Sequence, residues 1–362
     1  MRRRLAVFPN DPLRRYLEKG EIKPGYFNPE NFFDEIHVIS PAADDVAAAE
    51  VASLAGEARL IIHHWGAMTA ANFPAAFWRA ARFLAEIKPI AVRAYNPRQS
   101  GAPAVYAAHW LRVPAVVSCH TDFPAERRRL GGWKRWFGWL LEAYVFRHAD
   151  CCIAVSEHVA AYLRRRGCRQ VATIYNRVYA SRLEPRPPPE ASPRRLLSVG
   201  RLDPPKRQDV LLRALAPLPH LRLRLIGQGI NRGALESLAR DLQIADRVDF
   251  VPSVPYCDIF AEYRAADIFL MATDYEGFCI PVLEAMAVGV PCIICDTPPL
   301  PERCGEVVAN VPHAFTAALQ RLCNDRELRL RYAREGRGRA LALDGAIMEK
   351  KEAELYRRLI GS

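Results

Sequence analysis

Beyond Ala272 the chain reads Thr273-Asp-Tyr-Glu276-Gly277-Phe278-Cys279-Ile280-Pro281-Val-Leu-Glu284-Ala-Met-Ala-Val-Gly289-Val-Pro291. An apolar run ends just before it, a loop carries Glu276, and a helical pattern starts almost at once. The backbone N–H groups of residues 277–280 would then sit at a helix N-terminus, where unsatisfied donors and the helix dipole attract anions. Gly277 lets the main chain approach a ligand closely. Glu284 falls within the following helix, so two carboxylates can address the hydroxyls of one ligand. An acidic loop followed by an ordinary packed helix is the plainer alternative.

A second cluster is Leu196-Leu-Ser198-Val199-Gly200-Arg201-Leu202, followed by Lys206 and Arg207. A strand there delivers Gly200 and Arg201 to its carboxyl end, with Lys206 just ahead of the next helix. Two fixed cations can neutralise a departing diphosphate, the electrostatic work that a metal ion does elsewhere. No Asp-x-Asp pair stands ready to hold such a metal, so no metal site is expected. Against this stands a solvated basic helix start. Ile226-Gly227-Gln228-Gly229-Ile-Asn-Arg-Gly233 is a glycine turn between strand and helix. Read alone it could be a dinucleotide fingerprint. That fingerprint, however, belongs in the first βα turn, with an acid closing the next strand; here it is the second unit of the second half, and Asp249 sits inside its strand. In the first half, Val116-Val-Ser-Cys119-His120-Thr121-Asp122 brings His120 to the end of a strand, where a lone histidine is either structural or functional.

With these residues in view, the chain resembles the retaining glycosyltransferases of family 4. That large group has the GT-B fold: two doubly wound, Rossmann-like α/β domains facing each other across a cleft. The family's E-x7-E motif is matched by Glu276 and Glu284, and its Gly-Phe-x-x-Pro by Gly277, Phe278 and Pro281. The resemblance implies that Glu276 touches the transferred sugar and that Glu284 binds the ribose hydroxyls. It implies that Arg201, after Gly200, and Lys206 bind the donor's phosphates, and that Gly227 and Gly229 form a turn lining the nucleotide pocket. It implies that His120 contacts the donor sugar near the reacting carbon. Gly277, Phe278, Cys279 and Ile280 make up the donor loop; Cys279 replaces the family's usual glycine, keeping a backbone donor but narrowing the space. The expected enzyme is a retaining, metal-independent, hexosyltransferase-type glycosyltransferase. It would move a sugar from a UDP- or GDP-sugar to an acceptor hydroxyl in cell-envelope glycan or glycolipid synthesis, with no cofactor besides its substrate. The alternatives on the same fold are a nucleotide-sugar epimerase and a catalytically silent sugar-nucleotide binder.

The match is specific across 195–295 and diffuse before it. Ile153-Ala-Val-Ser156-Glu157 resembles the family's Val-Ser-Glu segment, but Arg177 and Tyr179 replace the glycine and aspartate of its Asn-Gly-Val-Asp. Pro9-Asn10-Asp11-Pro12 stands where paired glycines are usual, so acceptor contacts do not transfer. Leu300-Pro301-Glu302 resembles a family Pro-Glu.

To position those residues, strands and helices must alternate. Apolar runs at 5–8, 35–39, 59–63, 90–94, 115–118, 151–155 and 171–174 read as strands, with helical patterns such as 73–87 and 133–147 between them. That alternation implies a parallel sheet covered on both faces. It resumes with strands at 195–199, 221–226, 248–251, 267–272 and 291–295, and everything from 300 onward reads as helical. Between the halves, Ser181-Arg-Leu-Glu-Pro-Arg-Pro-Pro-Pro-Glu-Ala-Ser-Pro193 can be neither helix nor central strand. The expected layout is an acceptor-side domain at 1–180, a proline-rich linker at 181–193, a nucleotide-sugar domain at 194–345, and a last helix at 346–362 crossing back to the first domain.

At 362 residues the chain exceeds one ordinary core. Its charge of +11, from 51 Lys+Arg against 40 Asp+Glu, favours anionic partners. The arginines are scattered and no recognition motif appears, which leaves nucleic acid out. No apolar run approaches the about 18–20 residues needed to cross a bilayer. Arg2, Arg3 and Arg4 before Leu5-Ala-Val-Phe8 look like a signal peptide, but Pro9-Asn10-Asp11 closes the run too soon. A cytoplasmic enzyme with free core thiols is expected, its ten cysteines lying mostly in buried segments.

One stretch adds a membrane question. Arg127, Arg128 and Arg129 precede Trp133-Lys134-Arg135-Trp136-Phe137-Gly-Trp139-Leu140-Leu141. Apolar residues at 133, 136, 137, 140, 141, 144 and 145 make one helical face. Either that face packs on the first sheet, or an edge of the helix, with Arg127, Arg128, Arg129, Lys134, Arg135 and Trp139 exposed, rests on anionic lipid at the inner face of the membrane.

Overall fold

Strands of a parallel sheet are covered on both faces and so read as unbroken apolar runs. β1 (Arg4–Phe8) is such a run, its last four residues buried. After α1 (Leu13–Glu18) come β2 (Glu35–Ser40), β3 (Arg59–His64), α2 (Phe73–Ile87), β4 (Ala91–Ala94), α3 (Gly101–Leu111) and β5 (Ala115–Cys119). The first half closes with α4 (Phe123–Arg129), α5 (Gly132–His148), β6 (Cys151–Ala154), α6 (Glu157–Arg165) and β7 (Val171–Thr173). The computed structural model describes residues 2–18, 22–66, 72–129, 131–187, 193–297 and 305–361. The Leu300-Pro301-Glu302 segment therefore lies outside the described residues.

The strands order as β3-β2-β1-β4-β5-β6-β7, every pair parallel. The order reverses between β1 and β4. Loops leaving those two carboxyl ends turn to opposite faces, and the crevice between them is where doubly wound sheets take ligands.

The second half repeats the scheme. β8 (Arg195–Val199), α7 (Gln208–Leu215), β9 (Arg222–Ile226), α8 (Arg232–Asp241), β10 (Val248–Val251) and α9 (Ile259–Ala265) lead to β11 (Ile268–Met271). Then follow α10 (Ile280–Ala287), β12 (Cys292–Cys295), β13 (Gly305–Val308), α11 (Pro312–Asn324), α12 (Arg326–Ala342) and α13 (Gly345–Gly361). Its sheet runs β10-β9-β8-β11-β12-β13, again all parallel, with the reversal between β8 and β11.

Three expectations are corrected. Residues 305–308 are not helical; they form edge strand β13, paired with β12 from Cys292↔Gly305 to Cys295↔Val308. Four residues with Val307 in solvent carry no readable periodicity, and a parallel pairing is decided by the partner strand. Gly305 is required there, because a Cβ would collide with the Cys292 carbonyl. The apolar face proposed for α5 is also rotated. Its buried residues are Gly138, Leu141, Glu142, Val145 and Phe146, while Trp133 and Trp136 are exposed. Glu142 turns inward because Arg98, Arg127 and Arg166 neutralise it. Arg127, expected to be exposed, is corrected with it: its side chain is 12% exposed and paired with Glu142.

The chain divides into two units: Met1–Tyr175 with Ile347–Ser362, and Asn176–Ala346. The division thus precedes the proline-rich stretch, whose described residues 181–187 belong to the second unit. Asp267, ahead of β11, ties Arg186 to the start of β8: Arg186 donates to its carboxylate at 3.1 Å, and the Arg194 and Arg195 amides donate at 2.9 Å. From Ile347 on, α13 belongs to the first unit, where Met348, Leu355 and Tyr356 join the core of β1, β2 and β4. Glu352 pairs there with buried Arg93 of β4 at 3.1 Å. Removing one partner of a buried pair strands the other charge, so Glu352→Ala should destabilise the protein by about 3–5 kcal/mol. A urea unfolding midpoint reads this directly; an unmoved midpoint would mean that the pair does not hold α13.

Candidate active site

In the second unit β8 and β11 are neighbours, so the loops leaving their carboxyl ends start side by side. Main-chain bonds lace the two loops together. The Arg207 amide donates to the Ala272 carbonyl and the Asp274 amide to Pro205, both at 3.0 Å, and Lys206 bridges antiparallel to Thr273. The Lys206 side chain is thereby carried to Glu276, and the two form an ion pair with side chains only 13% and 15% exposed. Burial works against the ammonium, but the Glu276 carboxylate, by charge and by hydrogen bond, outweighs it and holds Lys206 above its ordinary pKa. Arg201 is the opposite case. Its side chain is 66% exposed, 3.6 Å from Asp203, and close enough to Lys206 for the two charges to oppose each other. Arg207 is already engaged by Asp209 and Asp274.

The loop carrying Glu276 is anchored from below. The Thr273 carbonyl accepts from Thr297 Oγ1 at 2.8 Å, Asn310 Nδ2 at 3.0 Å and Cys295 Sγ at 3.4 Å. Gly277, Phe278 and Cys279 are buried and Ile280 half-buried as the chain enters α10. Cys279 occupies the N-cap position, with no side-chain hydrogen bond closing the first turn. Burial pushes its thiol pKa up, so it remains protonated. Glu284, one turn into the helix, is 6% exposed and accepts from the Tyr263 hydroxyl at 2.8 Å.

Gly227 and Gly229 have a packing reason to be glycine. A Cβ at Gly227 would strike the Gly200 carbonyl, and one at Gly229 would strike Leu202 and Asp203. The close approach is fixed by Leu202 N donating to Gln228 O at 2.8 Å and by Ile230 N donating to Asp203 Oδ1 at 2.7 Å. The turn sets the loop that presents Arg201.

Of the residues singled out in the sequence, the second unit thus holds Gly200, Arg201, Lys206, Gly227, Gly229, Glu276 through Ile280, and Glu284. His120 belongs to the first unit, just past β5. Its ring stacks on Tyr95 at 5.8 Å, and its Nε2 is buried without a hydrogen-bond partner. Burial, reinforced by Arg93 and opposed by Glu352, pulls the imidazole pKa down to about 4. The sequence offered no sign of Tyr263, Thr297, Asn310 or Asp203, whose parts are set by tertiary contact.

Among the described residues, no group of three or more His, Cys, Asp or Glu side chains could hold a metal ion. A cavity of about 370 Å³ lies at the amino ends of β8, β9 and β10, lined by Arg195, Arg222 and Arg224 among others. It is on the wrong end of the sheet for a doubly wound ligand site, and Arg224 there is tied to Asp249 and Glu262.

The chain is similar to known proteins in sequence and in fold. The family model described as Glycosyl transferases group 1 matches residues 182–339, and the one described as Glycosyltransferase Family 4 matches residues 34–182. A D-inositol 3-phosphate glycosyltransferase of Streptomyces avermitilis is 28% identical over 290 residues, covering 71% of this chain and 60% of the relative. One from Corynebacterium glutamicum is 31% identical over 180 residues, 45% of this chain and 43% of the relative. The alignments thus span 43% and 60% of those relatives' own lengths. Among solved structures, sucrose-phosphate synthase from Thermosynechococcus elongatus superposes with a TM-score of 0.79 at 19% identity, covering 99% of this chain and 100% of that one. HepE of Anabaena, in complex with UDP and glucose, gives 0.76 at 16% identity, covering 97% and 98%. At such identities the likeness is one of fold.

The low pKa of His120 has a measurable consequence. An unfolded histidine takes up its proton near pH 6.5, the folded one only near 4. The unfolded state binds more protons in that window, so stability falls as pH drops from 6.5 to 4. His120→Asn removes this term. Between about pH 6.5 and about pH 4 the wild type should lose up to about 3 kcal/mol more than the variant, read from urea midpoints at both pH values. Parallel losses in the two proteins would mean that His120 is not held neutral.

Proposed function

The chain belongs to the group 1, family 4 glycosyltransferases with the GT-B fold, and on that premise we propose that it moves a hexose-type sugar from a nucleoside-diphosphate sugar to an acceptor hydroxyl, retaining the anomeric configuration and using no metal ion. The observation that carries this reading is the Lys206–Glu276 pair beside exposed Arg201, at the head of a helix whose first turn no side chain caps. A diphosphate arriving there meets one exposed guanidinium, one ammonium and the positive end of α10. It competes with Glu276 for Lys206, and so releases the Glu276 carboxylate toward the sugar hydroxyls. Charge developing on the departing diphosphate is then met by fixed cations, which need no reorganisation as the bond breaks.

Glu284 takes the ribose hydroxyls in this scheme, with the Tyr263 hydrogen bond fixing its carboxylate. To His120, which burial holds neutral at physiological pH, we assign the hydrogen bond to the donor sugar that the family resemblance implies. The donor is a UDP- or GDP-sugar. The solved HepE complex holds UDP and glucose, which supports the former. We place the acceptor among cell-envelope glycans or glycolipids and the enzyme in a reducing, cytoplasmic setting; the free cysteines among the described residues are in keeping with the latter.

Two measurements test the reading. In a thermal-shift panel of nucleoside diphosphates, UDP or GDP at about 100 times its Kd should add about 2.7 kcal/mol to stability and raise the melting temperature; no shift with any member would end the donor assignment. Arg201→Ala should lower turnover by about 10²–10³ while leaving the melting temperature in place. Wild-type activity should persist in EDTA. A rate unchanged in Arg201→Ala would remove this residue from the mechanism, and a rate abolished by EDTA would show that a metal carries the charge instead.

A further inference from the structure

Five of the six tryptophans stand in the open on the first unit: Trp78 on α2, Trp110 on α3, and Trp133, Trp136 and Trp139 on α5, each between 44% and 64% exposed. Scattered exposed apolar side chains are ordinary. Trp133 and Trp78, however, are the two ends of one connected series of rings. Trp133 meets Phe137 with ring centroids 6.1 Å apart, Phe137 meets Phe73 at 5.5 Å, and Phe73 meets Phe77 at 5.3 Å. Phe77 meets Tyr106 at 5.5 Å, and Tyr106 meets Trp78 at 5.9 Å. Every linking ring is itself only half-buried. Trp110 lies one turn past Tyr106 on the same face of α3. Three helices thus share one aromatic surface.

The first turn of α5 sharpens the picture. Trp133, Lys134, Arg135 and Trp136 are all exposed, and the buried face of the helix begins only at Gly138. Arg82 on α2 and Arg128 and Arg129 on α4 add exposed positive charge. The carboxylates on α2, α3, α4 and α5 are Glu86, Glu126 and Glu142, and Glu142 is buried and neutralised.

Cations alternating with tryptophans on one protruding turn suit neither a dry protein interface nor a second copy of this chain. Lysine is depleted in protein interface cores, and two such surfaces would repel each other. A bilayer interface accommodates both groups at one depth, because indole rings settle at headgroup level and lysine and arginine meet anionic headgroups there. We propose that this face of the first unit docks on an anionic lipid bilayer, with Trp133 and Trp136 as the entering rings and Lys134 and Arg135 as their electrostatic partners. The proposal does not depend on the donor chemistry and stands or falls separately from it.

The test is cosedimentation of the full chain with vesicles of phosphatidylcholine alone and of phosphatidylcholine mixed with phosphatidylglycerol, at low and high salt. The wild type should partition onto the anionic vesicles, and less so in high salt. The double variants Trp133→Ala/Trp136→Ala and Lys134→Glu/Arg135→Glu should each lower partitioning about tenfold or more with unchanged melting temperatures. Equal partitioning of wild type and variants would overturn the assignment, as would failure to bind anionic vesicles. A concentration-dependent dimer that the tryptophan variant abolishes, with no vesicle binding, would assign the face to a second copy instead.

Discussion

An ammonium and a carboxylate held together, nearly out of water, at the carboxyl ends of two adjacent parallel strands constrain the whole second unit. Taking charges out of water costs several kcal/mol per ion, and mutual attraction offsets that only when the geometry is fixed. The fixing here is main-chain work. Lys206 is registered against Thr273 by backbone bonds on either side, and Thr273 is itself gripped through its carbonyl by Thr297, Asn310 and Cys295. The apolar strands β8, β11 and β12 exist, in this sense, to bring a lysine and a glutamate far apart in sequence into one small volume. In the proposed reaction the pair is also the point of exchange, where a polyanion would compete with Glu276 for Lys206.

The first unit uses a similar device for a different end. Arg93 is buried on β4 between Ser118 and Glu352, and its guanidinium lies 5.0 Å over the Tyr95 ring on which His120 stacks. Glu352 comes from α13, far along the chain. Burial is the main reason that the histidine at the end of β5 stays neutral; Arg93 adds to it, and Glu352, from a helix that is part of the first unit's core, opposes it. Without Glu352, Arg93 would lie beside His120 uncompensated.

How much of this could be read from the residues depends on whether the determinant was local. Strand positions were legible to within a residue or two wherever a run was apolar throughout, as in β5, β6, β8 and β12, because burial on both faces leaves a mark in each residue. The segment 273–291 was legible because loop, glycine and helix start are contiguous. β13 was not, since its four residues owe their conformation to Cys292 and its neighbours on β12. The α5 face was misjudged because periodicity weighs tryptophan as core and glutamate as surface, whereas three arginines from elsewhere draw Glu142 inside. The role of Tyr263 was invisible for the same reason: nothing near it in sequence points to Glu284. Proline content argued against any helix in 181–193, yet Ser181 and Arg182 close a short 3-10 turn, and distant Asp267 ties Arg186 to the start of β8.

These contrasts bear on where specificity resides. On the function proposed above, the second unit offers main-chain geometry, two cations and two acids, a set suited to a sugar diphosphate and little concerned with what is attached to it. At the first unit's switch point the side chains are individual ones: Asn96 Nδ2 donates to Asn10 Oδ1 at 2.8 Å, joining the loops after β4 and β1. His158 on α6 lies 3.0 Å from Asp122, two residues past His120. Such contacts are cheap to change, because none of them supports a core. If the proposed division of labour holds, such a fold keeps one donor chemistry while its acceptor varies, and the choice of acceptor falls to the first unit's loops.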